Sequence, residues 1–132
     1  MIARSASSFL IALLLLAAPA WSQMWDPRAL AIDPATATGP VAPVLQGLGD
    51  LHHAVTTSNP KSQAFFDQGL RLTYAFNHSE AIRAFKEAAR LDSANAMAYW
   101  GWAFALGSNL NLVMQPEVTA QAYAAEIGRA HV

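Results

Sequence analysis

The sequence contains no cysteine, so neither a disulfide framework nor thiolate chemistry is open to this chain. Charged residues are few as well, at 13% of the chain. Eight basic and nine acidic residues nearly balance and leave a formal net charge of −1. Such a chain lacks the excess positive charge with which proteins bind nucleic acids or anionic membranes, and we expect neither as a partner. Its 132 residues suffice for one domain at most.

Recognised catalytic motifs are also missing. The chain has no phosphate-binding glycine loop, no GxSxG and no HExxH. The carboxylates Asp67, Glu80 and Glu87 fall on separate helical turns among basic residues, and we interpret them as solvated charges. Nothing in the sequence nominates a nucleophile together with its base, so we predict a protein that is not an enzyme and uses no cofactor.

Three histidines are the weak candidates for metal ligands: His52, His53 and His78. Adjacent residues of an extended segment point to opposite sides, so His52 and His53 do not form a chelating pair by spacing alone. No carboxylate or thiol stands at a recognised ligand spacing from them. We interpret His78 as a helix-start or packing residue, and no metal site is predicted.

The first twenty residues, 1–20, have the three-part layout of a secretory signal peptide. Arg4 supplies the positive charge, Phe9 to Ala18 form an apolar run, and Ala18-Pro19-Ala20 gives small residues at the cleavage-site spacing. The run is shorter than the roughly 20 apolar residues of a transmembrane helix, and a retained anchor is the alternative. Cleavage after Ala20 predicts an exported, periplasmic protein with no stable membrane anchor.

Residues 21–50 are of a different kind, since four prolines and three glycines lie among them. Proline removes backbone donors and disfavours helix in the residue before it. No helical or strand period is sustained, so we predict a flexible leader. Within it, Val41–Leu48 is the part that could dock as an extended strip.

Helical patterns begin at residue 60. Asn59 followed by Pro60 is typical of a helix start, and a first helix is predicted from Pro60 to about Ala75. Asn77 and Glu80 match a capping box that opens a second helix, from His78 to Leu91. The turn between these two helices, from about Ala75 to His78, is short, and a short turn predicts an antiparallel helix hairpin.

A third helix is predicted after Asp92, a possible cap, and it should end near Gly107. Its sequence AMAYWGWAFAL carries no charge, so we expect it to be the most buried element. The loop Asn109–Gln115 precedes a fourth helix, from Pro116 to about Ala125. The predicted fold class is therefore all-α.

The first two helices carry signs of close packing. Gly69 lies mid-helix, where glycine costs about 1 kcal/mol against alanine, so we expect it to permit close approach by a neighbouring helix. The second helix has an apolar face and a charged face. We assign the charged face, spaced for weak pairs, to solvent; it comprises Glu80, Arg83, Glu87 and Arg90.

Small and aromatic residues also recur: Tyr99 follows Phe65, and Ala103 follows Gly69, at a spacing of about 34 residues. This spacing, together with the small-large-small pattern Ala81, Phe85, Ala88, resembles the tetratricopeptide repeat family. The first repeat would span Ser62 to Asn95, with Ser93 where the family usually has proline. The second would begin at Ala96, with its second helix displaced by the loop at 109–115.

The stretch from Leu51 to about Ala125 resembles the opening of a group of longer bacterial exported tetratricopeptide proteins. The resemblance implies about one and a half repeats over 51–125, an α-solenoid arrangement and a non-catalytic scaffold that binds a protein or peptide. It also implies a concave groove lined by the first helix of each repeat. On this sequence that face holds Gln63, Phe66, Leu70, Thr73, Tyr74, Met97, Trp100 and Phe104.

This groove set is apolar and holds no Lys or Arg, so it would suit an apolar or amphipathic segment better than a terminal carboxylate. Two alternatives stay open. The aromatic cluster Tyr99 to Trp102 can be core packing, which is the commoner role of helical aromatics. The groove can also be filled internally, by Leu51–Val55 or by helices further along a longer chain.

The last seven residues, 126–132, read EIGRAHV and lack helical periodicity. They match the translation of a common sequencing adapter, so we predict a non-native tail on an interrupted chain; an ordinary short tail is the alternative. Two other functions stay open. The chain can be the N-terminal part of an enzyme or metal-handling protein with its site downstream, which a longer reading frame would reveal. It can also be a self-assembling module, which light scattering would reveal.

Overall fold

The computed structural model describes residues 26–111 and 113–127, so the predicted signal peptide at 1–20, the first leader residues and most of the predicted tail lie outside the described residues. The described part is all-α, as predicted, and contains no β-strand. Each helix from α2 onward packs against the next, α4 also contacts α2, and α1 contacts α3. The helices are α1 Pro27–Ala31, α2 Pro60–Tyr74, α3 His78–Leu91, α4 Ala96–Leu106 and α5 Pro116–Ile127.

The hairpin of α2 and α3 is fixed at its open end by two polar contacts. Asn59 caps α2 by accepting from the N–H groups of Lys61 and Ser62. Its amide nitrogen also donates to the Leu91 carbonyl at 2.9 Å, and the Ser62 hydroxyl donates to the Ala88 carbonyl at 2.8 Å. The start of α2 therefore lies beside the end of α3, and the two helices run antiparallel.

The turn between α2 and α3 holds a bulky residue in a left-handed conformation. Phe76 has φ 59°. Its N–H donates to the Thr73 carbonyl, and the Asn77 N–H donates to the Leu72 carbonyl, the two bonds of a Schellman helix ending. Asn77 still caps α3. The capping box is half formed, because the Asn77 N–H that Glu80 was predicted to bond is already used.

Replacing Phe76 with glycine should stabilise the chain by about 0.5–1 kcal/mol, since glycine adopts this conformation without a Cβ clash. Phe76 is half exposed, so little apolar burial is lost. Urea unfolding measures the change. Phe76→Ala is the control and should gain nothing, because alanine keeps the clash. A glycine variant no more stable than the alanine variant would contradict a strained turn.

The core is organised around the fully buried ring of Phe85 on α3. A Cβ built on Gly69 of α2 would lie 2.7 Å from this ring, and one built on Gly101 of α4 would lie 2.3 Å from it. The Phe66 ring closes a third side, with centroids 5.6 Å apart. The close approach predicted at Gly69 is confirmed, and Gly101 provides a second one on the opposite helix.

Two expectations about α4 are wrong. Its N-cap is Asn95, which accepts from the Ala98 N–H at 3.2 Å, whereas Asp92 closes the preceding turn by accepting from the Ala94 N–H. Asn95 is fully buried and also donates to the Ser62 hydroxyl at 2.9 Å. The most buried helix is α3 rather than α4, because α2, α4 and the leader cover α3 on three sides.

The leader also differs from the flexible segment predicted. From residue 26 onward it begins with α1 and then lies against α2 and α3. The predicted docking strip Val41–Leu48 is held there: the Val41 N–H donates to Glu87 at 2.9 Å, and the Leu45 N–H donates to Gln68 at 2.9 Å. Helix side chains supply the hydrogen bonds that the proline-rich backbone cannot make with itself.

At the other end of the described chain, α5 continues to Ile127, past the predicted end at Ala125. Its inner side is buried at Val118, Ala122 and Ala125.

Candidate partner-binding groove

The structure brings most of the predicted groove residues together around one depression of about 100 Å³. It lies between α2 and α4, where the two helices contact. We call it the aromatic groove. It is lined by Phe66, Leu70, Tyr74, Met97 and Trp100, together with His53 from the segment Leu51–Val55 that follows the leader.

The outer part of the aromatic groove is exposed aromatic surface. Tyr74 is 64% exposed and Trp100 is 43% exposed. Phe104 extends the surface along α4, because its ring stacks on Trp100 with centroids 5.0 Å apart and an interplanar angle of 8°. The cluster at 99–102 therefore divides between the two roles considered: Tyr99 and Trp102 pack against the core, whereas Trp100 faces outward.

Three predicted groove residues do not line the depression: Phe104, which only extends its aromatic surface, Thr73 and Gln63. Thr73 is buried, and its hydroxyl donates to the Gly69 carbonyl of its own helix at 2.9 Å. Gln63 is bonded to the leader instead: it accepts from the Val55 N–H and donates to the His53 carbonyl, both at 2.9 Å. Helical periodicity could not show these hydrogen bonds.

The segment Leu51–Val55 runs beside α2 and forms one wall of the aromatic groove. Besides the contacts to Gln63, the His53 N–H donates to Asp67 at 3.0 Å, and Arg71 donates to the Leu51 carbonyl at 2.7 Å. Alternate residues of this extended segment, 51, 53 and 55, thus meet the side chains at 71, 67 and 63, which are spaced four apart on α2. Internal filling is therefore partial, since the segment occupies the edge and leaves the aromatic surface open.

The three candidate metal ligands do not converge. His52 pairs with Asp67, Nδ1 to Oδ2 at 2.7 Å, and the His53 ring tilts against Phe66 at 6.1 Å. His78 is buried at the start of α3, where burial lowers the pKa of its imidazole. In the described part of the chain no three His, Asp or Glu residues are grouped to hold a metal ion.

Two carboxylates interpreted as solvated are buried, since Asp67 is 6% exposed and Glu87 is 2% exposed. Glu87 accepts from Val41 N–H and from both ends of the Arg90 guanidinium, at 2.8 and 2.7 Å. Burial opposes its ionisation, but these bonds outweigh that effect and lower the pKa of Glu87, while the pKa of Arg90 is raised. The charged face of α3 forms its predicted pairs, but the leader covers them.

The leader is also held at Asp26, the first residue that the structure describes. The Asp26 N–H donates to the Ser79 hydroxyl at 2.8 Å, and the Asp26 carboxylate pairs with Arg83 at 2.5 Å. The Asp26 carboxylate accepts hydrogen bonds from Arg28, chiefly from its backbone N–H, and these bonds lower the pKa of Asp26. Further along, buried Lys86 donates to the carbonyls of Ala29, Leu30 and Ile32.

Sequence reasoning missed Gln68 and Lys86 as residues that build this region, and it named His53 only as a weak metal candidate and as part of the possible filling segment Leu51–Val55. A signal for the leader contacts was present in α2, where polar residues 63, 67 and 71 recur every four positions on a face that is otherwise apolar. A polar stripe beside an apolar one usually faces solvent, so the stripe alone did not identify the segment that it bonds. Nothing comparable in the sequence marks Lys86 as buried.

Comparison with protein-family models, with curated proteins and with solved structures found no match to this chain. None of the helices in the described ranges is both long and apolar enough to span a bilayer.

Proposed function

We propose that this chain is a non-catalytic interaction scaffold that binds a protein or peptide partner in the aromatic groove. The observation that carries the proposal is the exposed aromatic surface of Tyr74, Trp100 and Phe104 beside a depression. Exposed clusters of this kind are typical of binding sites, and Trp and Tyr are the residues most often found at binding hot spots.

The partner is a segment with an apolar face rather than a terminal carboxylate. The lining of the aromatic groove contains aromatic and aliphatic side chains and one histidine, but no Lys or Arg. A carboxylate bound there would lack a cation to hold it. An amphipathic helix that places apolar side chains at helical spacing matches this chemistry.

We further propose that the helices form a tetratricopeptide-type array in an exported, periplasmic protein. In support, glycines on α2 and α4 receive the large Phe85 side chain of α3, as the small-large pattern of that family requires. The packing of α4 on both α3 and α2 is compatible with stacked hairpins. Export is supported by the signal layout at 1–20.

Selection from a displayed library of random peptides against the immobilised full chain tests the binding role. For a selected peptide, Trp100→Ala should weaken the affinity by about 30-fold or more, the effect of losing a hot-spot aromatic. Fluorescence anisotropy of the labelled peptide measures it.

Tyr123→Ala is the matched control, because Tyr123 on α5 is 65% exposed and is not among the residues that line the groove. It should leave the affinity unchanged. The aromatic groove is not the binding site if no peptide is enriched, or if Trp100→Ala binds the selected peptide as tightly as Tyr123→Ala does. Circular dichroism verifies that each variant is folded.

A further inference from the structure

A second concave site lies on the other side of α2, between the docked leader and the hairpin. It is a cavity of about 480 Å³, within the roughly 300–1,000 Å³ usual for small-molecule pockets. We call it the leader cavity. Its walls are mainly apolar, with Ala42, Pro43 and Val44 on the leader side and Phe65 and Leu91 on the helices.

Three charged residues line the leader cavity, and only one of them has its charge available. Glu87 and Arg90 are paired with each other through two hydrogen bonds. Lys61 is exposed, and it makes no ion pair with any residue in the described ranges. It lies in the first turn of α2, where the helix dipole repels a cation and attracts an anion.

The geometry points to a binding site for a single-chain amphiphile that carries one carboxylate. We propose that the alkyl chain occupies the leader cavity against Phe65 and Leu91 while the carboxylate pairs with Lys61 at its mouth. The apolar walls exclude a ligand that is polar along its length, since burying unpaired polar groups is costly. The one unpaired ammonium group selects an anionic head.

This site is independent of the aromatic groove. None of the residues that line the leader cavity lines the aromatic groove. A negative result for amphiphile binding therefore leaves the proposed peptide binding untouched, and the reverse also holds.

A homologous series of alkyl carboxylates tests the proposal by isothermal titration on the full chain. Each added methylene should raise the affinity about fourfold, until the cavity is full and the affinity stops rising. The series runs from hexanoate to tetradecanoate, below the micelle-forming concentrations. Alkanols of the same lengths should bind at least about tenfold more weakly, because they lack the charge-assisted bond.

Three variants locate the site. Lys61→Gln should lose about tenfold in carboxylate affinity, and Lys61→Arg should retain it. Ala64→Trp places a large side chain at the lining and should abolish binding, whereas Ala120→Trp on the exposed side of α5 should have no effect. The proposal is overturned if no saturable binding occurs, if alkanols bind as tightly as carboxylates, or if Lys61→Gln binds like the unaltered chain. The Lys61 variants keep the test valid even if Ala64→Trp does not fold.

Discussion

Phe85→Ala should lower the free energy of unfolding by about 3–5 kcal/mol, the usual cost of emptying a buried aromatic site. The Phe85 ring is fully buried and in contact with α2 and α4 at once, so its removal unpacks three helices together. Small domains have only about 5–15 kcal/mol of stability, and the variant should be close to unfolding. Urea or thermal unfolding followed by circular dichroism measures the loss.

Phe104→Ala is the matched control, because Phe104 is 44% exposed and should cost about 1 kcal/mol or less. The complementary test adds atoms instead of removing them. Gly101→Ala should destabilise by about 1–2 kcal/mol, because overpacking against Phe85 outweighs the gain in helix propensity. At Gly39 a Cβ would meet nothing within 4 Å, and alanine there should be neutral. Equal effects at the two glycines would contradict the close approach around Phe85.

The second large effect is a dependence of stability on pH that originates at Lys86. Its ammonium is fully buried, donates to three leader carbonyls at 2.7–2.9 Å and lies 4.5 Å from the centroid of the Trp102 ring. Burial lowers its pKa from 10.5 to about 8, with the negative charge of Asp33 acting in the opposite direction. At neutral pH the amine is therefore still mostly protonated.

Because the folded chain holds this proton less tightly than the unfolded chain, the unfolded chain binds more protons between pH 8 and 10.5. The free energy of unfolding should therefore rise with pH across that window and level off above it. The difference between the two pKa values corresponds to about 3 kcal/mol.

Unfolding free energies of the unaltered chain and of Lys86→Met, measured from pH 7 to 11, isolate this contribution. Subtracting the two curves removes the shared titration of the tyrosines. Lys61→Met is the control, since Lys61 is the other lysine of the chain and is exposed, and it should retain the rise. An identical rise in Lys86→Met would show that Lys86 does not titrate as its burial requires.

The helix boundaries were largely predictable because they depend on neighbours in sequence. Asn59 with Pro60, and Asn77 before His78, begin α2 and α3 where the caps indicated. Gly107 is the C-cap of α4, as expected. Asn95 was missed because Asp92 and Asn95 are both good caps, and the choice depends on the tertiary hydrogen bond from Asn95 to Ser62.

The sequence indicated a docking strip at Val41–Leu48 but not where it docks, because its contacts are long-range and involve mainly backbone groups. The N–H groups of Val41 and Leu45 bond Glu87 and Gln68, far away in the chain. Such bonds carry no periodicity in the bound segment. Contacts of this kind explain why Glu87, bonded by Val41, and Asp67, bonded by His53, are buried although each follows the pattern of a solvated helix face.

The candidate groove was predictable in part, since one face of two packed helices follows from periodicity. Phe66, Leu70 and Trp100 meet as that rule requires. Thr73 turns to its own backbone and Gln63 to the leader, choices that depend on local hydrogen bonding. His53 lies in the groove because Asp67 and Gln63 both bond its backbone.

The central claim is that side chains of α2 and α3 hold the backbone of the leader, which borders the leader cavity, and of the adjoining segment Leu51–Val55, which borders the aromatic groove. Amide hydrogen exchange in the full chain tests it most directly, at Val41, Leu45, His53 and Val55, whose N–H groups bond these side chains. We expect those four amides to exchange roughly tenfold or more slowly than the amides of Gln46 and Ala54, which make no such bond in the described ranges. Exchange of all six at the rate of an unstructured peptide would contradict the account.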